Sequence, residues 1–106
     1  MKKVNILGTE YKIEFLNKKQ WAKENKKTAN EFDGFCYCYE KKIQVLTYKR
    51  SKEHINSILR HEIIHAFQNE SGVRYAMDNN WDKESETDWL AYQLPKISEV
   101  FKELNI

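Results

Sequence analysis

Polar and apolar residues alternate at the start of the chain, where Tyr11, Ile13 and Phe15 are separated by Lys12 and Glu14. A period of two is the signature of a half-buried strand. Together with the apolar positions before Gly8-Thr9, it predicts a hairpin over residues 3 to 7 and 10 to 16. Residues 18 to 27 are polar enough to be a loop or a short exposed helix, and Asp33-Gly34 marks a turn. Beyond it, "FCYCYEKKIQVLTY" divides at Glu40-Lys41-Lys42 into an aromatic and a β-branched run. This predicts a second hairpin, with Phe35, Tyr37 and Tyr39 on one face and Cys36 and Cys38 on the other.

The period then lengthens. Ser51 is a good N-cap, and Glu53 follows in the first turn, where negative charge favours the helix dipole. Ile55, Ile58, Leu59, Ile63, Ile64 and Phe67 carry a helix to Ser71-Gly72, where a glycine can take the left-handed capping conformation. The apolar residues fall on more than one side, which predicts a central, buried helix. Asp82 can cap a last helix in which Leu90, Leu94, Ile97, Phe101 and Leu104 form an apolar stripe. Pro95 interrupts that stripe and predicts a kink or a break. The whole reads as an α+β fold, a small antiparallel sheet of two hairpins packed on a central helix and a C-terminal helix.

With 106 residues, one domain spanning 1–106 is expected. Eighteen basic residues nearly cancel sixteen acidic ones, for a net charge of +2. A nucleic-acid binder usually gathers a pronounced basic surplus, so no nucleic-acid partner is required. Lys18, Lys19, Lys23, Lys26 and Lys27 cluster around Trp21, but read as a solvated face. No apolar run at the N-terminus is long enough for a signal-peptide core or a membrane span, so a cytoplasmic chain is expected. Cys36 and Cys38 suit that compartment as reduced thiols and read as small packing residues, since a cysteine metal site usually needs two more ligands of its kind.

The chemistry lies in "LRHEIIHAFQNESG". His61 and His65 are four apart and therefore share one face of a helix, where a single metal ion can take both imidazoles. Glu62 projects beside that ion and can take a proton from its bound water. Placing two imidazoles and a carboxylate in an otherwise apolar helix is costly unless they have partners, and a zinc ion would satisfy them together. Two histidines with one carboxylate suit zinc. A third ligand is available in "WDKESETDWLAYQLP", where Glu84 and Asp88 share a face as ligand and supporting acceptor. Glu86 is the rival ligand, roughly 200° around the helix from Glu84. His54, seven residues before His61, reads as a first-turn surface residue.

His61-Glu62-Ile63-Ile64-His65, followed by an acidic helix start, resembles the gluzincin metallopeptidases. "ESETDWLAYQLP" is similar to the glutamate-rich helix of the ImmA/IrrE-type peptidases of phages and mobile elements. The resemblance covers roughly residues 51 to 95. It implies a zincin-like domain that hydrolyses peptide bonds with zinc on His61, His65 and Glu84, Glu62 as general base and Asp88 in support. No histidine follows His65 to steady an oxyanion, and Tyr75 is the substitute. The resemblance further implies a protein or peptide substrate, with a regulator as a candidate. That substrate would lie along a sheet edge formed by the strand at Ile43 to Thr47 or by its hairpin partner. The alternative is a zinc-bearing, catalytically weak or inactive domain that binds another protein.

Overall fold

The computed structural model describes residues 2–26, 32–74 and 81–106. Strands β1 (Lys2–Ile6) and β2 (Thr9–Leu16) form the first hairpin, followed by helix α1 (Lys18–Glu24). Strands β3 (Gly34–Tyr37) and β4 (Lys42–Leu46) form the second, and helices α2 (Lys52–Glu70) and α3 (Lys83–Glu103) complete the order. Leu7 and Gly8, with φ of 51° and 93°, make the two-residue turn whose twist matches its flanking strands.

The four strands lie in the order β1-β2-β4-β3. Each hairpin is antiparallel, but β2 and β4 pair in parallel, from Lys12 against Lys42 to Leu16 against Leu46. The sheet is therefore mixed, which corrects the antiparallel expectation. The parallel pair makes β4 an interior strand and leaves β3 at the edge.

Both faces of β4 are covered, and Ile43 through Leu46 are all buried. Ile43 and Val45 join Val4, Ile6, Tyr11 and Ile13 beneath α2 and α3. A fully buried side chain of this kind is worth about 1.5–3 kcal/mol. Leu46 and Leu16 face the other way, onto Trp21 of α1, whose ring stacks on Phe35 with centroids 5.5 Å apart. Trp21 is thus a core anchor among exposed lysines. Gln44, also buried, donates to Glu14 Oε1 at 3.0 Å and accepts from Asn25 Nδ2 at 3.3 Å. Tyr37 Oη donates to Asn25 Oδ1, so the polar groups under α1 are mutually satisfied.

Ser51 caps α2 as expected, its Oγ accepting from the His54 N–H at 3.1 Å. The far end is tied down by Glu70, whose carboxylate accepts from Tyr11 Oη at 2.6 Å, Lys41 Nζ at 2.7 Å and Thr9 Oγ1 at 2.9 Å. Burial pushes the Glu70 carboxyl up, but Lys41, Tyr11, Thr9 and Asn69 outweigh it and hold the pKa down to about 2. A depressed carboxylate contributes stability above the unfolded pKa of about 4.3, which is lost as the pH falls towards 2. Glu70→Gln is therefore expected to cost on the order of 2 kcal/mol at neutral pH and to flatten the loss between about pH 4.5 and 2. Urea unfolding at pH 7 and pH 2.5 measures both, and equal acid sensitivity in the two proteins would refute the role.

The long helix α3 buries Trp89, Gln93, Ile97 and Val100. This face is rotated from the expected stripe: Phe101 and Leu104 pack against the core, but Leu90 and Leu94 are exposed. Nor does Pro95 end the helix. Ala91 and Pro95 both lie on its exposed side, where water can reach the carbonyl that loses its partner.

Candidate metal centre

The middle of α2 presents His61 and His65 on an exposed side, with Glu62 buried between helix and sheet. Among the described residues these three form the one group able to hold a metal ion, their ligand atoms all lying within 4.8 Å of one another. The two Nε2 atoms are 3.2 Å apart. Two nitrogens bound at about 2.0–2.1 Å to a tetrahedral ion stand roughly 3.3 Å apart, so the donors are spaced as one ion requires. His65 Nδ1 lies 2.9 Å from Gln68 Oε1. An oxygen acceptor there places the ring proton on Nδ1 and leaves Nε2 free to bind a metal.

Glu62 approaches the edge strand closely. A Cβ added at Gly34 would stand 2.5 Å from Ile58 Cγ2 and 3.0 Å from Glu62 Oε2, so glycine is what lets β3 lie against α2 here. Burial raises the Glu62 carboxyl above its ordinary range, aided by Asp33 and opposed by His61 and His65. That direction suits a group that takes up a proton.

A cleft of about 240 Å³ opens over the group, lined by Gly34, Cys36 and Cys38 of the β3 side and by Arg74 beyond α2. A second cavity shares Gly34, His61 and Glu62 and continues towards Asp33, His54 and Ser57. The two thiols do share the α2 side of β3 and lie 3.8 Å apart. Burial pushes the Cys36 thiol far up, as does Cys38 beside it, which fits a protonated packing residue at position 36. His54 pairs with Asp33 at 3.4 Å, as does Arg50, and stands outside the metal group.

The acidic turn of α3 also stands outside it. Trp89 Nε1 donates to Ser71 Oγ at 2.8 Å and Arg60 Nη1 to the Ile106 carbonyl at 2.6 Å, so α3 runs antiparallel to α2. His65 is six residues before Ser71, and Glu84 and Glu86 are five and three before Trp89. At 1.5 Å per residue the acids lie roughly 13–17 Å from His65 along the helix axes. Glu84, Asp88 and Tyr92 follow at spacings of four, and Tyr92 is 72% exposed, which marks theirs as a solvent face. The structure brings none of Glu84, Glu86 and Asp88 to the histidines. Tyr75 lies outside the described residues.

Three residues at the site escape a reading of the motif alone: Gln68, Gly34 and Arg74. Gln68 was legible in principle, three residues after His65 on the same helix face; the other two meet the site only through the fold. A scan against protein-family models, a search of curated proteins and a search of solved structures each found no match to the chain. The functional reading therefore rests on the motif and on this geometry.

Proposed function

We propose that this domain is a small zinc metallopeptidase in which His61 and His65 hold the ion through Nε2 and Glu62 is the general base. The observation that carries the reading is the convergence of two correctly spaced imidazoles and a buried carboxylate in a cleft beside an edge strand. When bound, zinc supplies a water acidified to a pKa of about 7 and a Lewis acid for the scissile carbonyl. Glu62 would accept a proton on its carboxylate and return it to the leaving amine. Gln68 holds the ring of His65 in the tautomer that binds metal.

The edge supports a peptide substrate. β1 exposes Lys2 and Lys3 at its end of the sheet, whereas β3 reads Gly-Phe-Cys-Tyr, with neither charge nor proline to block pairing. Such an edge can accept an extended peptide as an added strand. The sequence resemblance to gluzincins points the same way, towards a protein or peptide substrate and a regulator among the candidates. No helix among the described residues is long and apolar enough to cross a membrane.

One observation favours a second reading, a zinc-bearing domain that binds a protein without cleaving it: α3 brings no third ligand to the histidines. The test is metal content together with cleavage of an unbiased peptide pool. About one zinc per chain, with cleavage that stops on chelation, supports the peptidase. A zinc-loaded chain that leaves the pool intact supports the binding module.

A further inference from the structure

The cleft over His61, Glu62 and His65 does not end at the histidines. Past Cys38 and Arg74 it meets another depression of about 370 Å³, lined by those two residues with Tyr39, Lys41 and Asn69. Among the described residues, no acidic side chain lines this end. Lys41 is already engaged by Glu70 at 2.7 Å. Arg74 is not: its Nη1 donates to Cys38 Sγ at 2.7 Å, and no described carboxylate pairs with it. The opposite end is built differently, since Asp33 there is matched by Arg50 and His54. Among the described residues, the cleft therefore carries one guanidinium without a carboxylate partner, beyond Cys36 and Cys38.

A guanidinium has five N–H donors in a planar fork that matches a carboxylate. Cys38 accepts one of them, and no described carboxylate takes the others on a side chain that lines both depressions. We propose that Arg74 is a specificity-determining residue that selects peptides carrying a carboxylate on the Cys38 side of the metal group, either an Asp or Glu side chain or a free C-terminus. The inference rests on the reading that a peptide occupies this cleft, and it names the class of peptide.

The test uses zinc-loaded full-length Glu62→Gln protein, so that binding is read without cleavage, and fluorescein-labelled, amidated decapeptides of Val, Thr and Gln. One Glu is stepped through the positions, each peptide has its Gln counterpart, and one Gln peptide carries a free C-terminal carboxylate. By fluorescence anisotropy, one carboxylate-bearing peptide is expected to bind about tenfold more tightly than its uncharged twin, as a charge-assisted fork warrants. A stepped Glu that wins identifies a side-chain subsite, and the free C-terminus a terminal one. Arg74→Ala abolishes the difference and Arg74→Glu reverses it, with unchanged zinc content showing that both variants fold. Twins that bind alike throughout, or a preference that survives Arg74→Ala, overturn the inference. Cleavage of the same peptides by the wild-type chain is scored separately. A carboxylate preference without cleavage supports the inference and counts against the peptidase, and cleavage without a preference does the opposite.

Discussion

Replacing Glu62 by glutamine is expected to leave zinc bound and to slow peptide hydrolysis by about 10²–10⁴-fold, the usual contribution of a positioned general base. The amide keeps the size and much of the polarity of the carboxylate but cannot take up a proton. Because Glu62 Oε2 would stand only 3.0 Å from a Cβ at position 34, an isosteric change is the right probe. Anything larger would meet the edge strand. The measurement is kcat on one cleaved peptide with zinc content determined on the same samples. Hydrolysis surviving at the wild-type rate would remove Glu62 from the chemistry. Zinc lost together with activity would make Glu62 a ligand, with a different proton acceptor.

What the sequence made legible and what it hid can be traced to particular residues. The Ser51 cap and the i, i+4 pair of His61 and His65 are local properties of one helix, and both stand as the spacing predicts. The two hairpins are also local, since alternation and turn chemistry lie within a few residues of each other. The parallel pairing of β2 with β4 is not local. Alternation tells which side chains share a face but not which strand lies alongside, so β3 could not be assigned to the edge beforehand.

The acidic turn lies apart from the histidines for a different reason. Leu90 and Leu94 suggested one buried face of α3, whereas the helix buries Trp89 and Gln93, a rotation of roughly 100° per residue of offset. A polar residue inside and two leucines outside defeat a rule that counts only apolar positions. The resemblance carried Glu84 to the metal by spacing along the chain, and spacing along a helix says nothing of how far that helix has slid past its neighbour.

That slide makes the metal site itself the sharper test. His61→Ala and His65→Ala each remove one of the two convergent nitrogens and are expected to release the zinc, with a loss of affinity well beyond the 10–100-fold typical of removing a supporting group. Glu84→Ala and Glu86→Ala, roughly 13–17 Å away along the helix axes, are expected to bind zinc as the wild type does. Gln68→Ala should fall between, because it frees the His65 ring without removing its nitrogen. Zinc titration against a competing chelator ranks all five variants on one scale. If Glu84→Ala released the metal as a histidine variant does, the first turn of α3 would have to reach the histidines in the metal-bound protein, and the helix packing described above would not be that of the zinc form. If it does not, the ion is held, among the described residues, from α2 alone, with open positions for water and substrate. Such a site binds zinc more weakly than one with three protein ligands, and its activity should depend on the zinc concentration supplied.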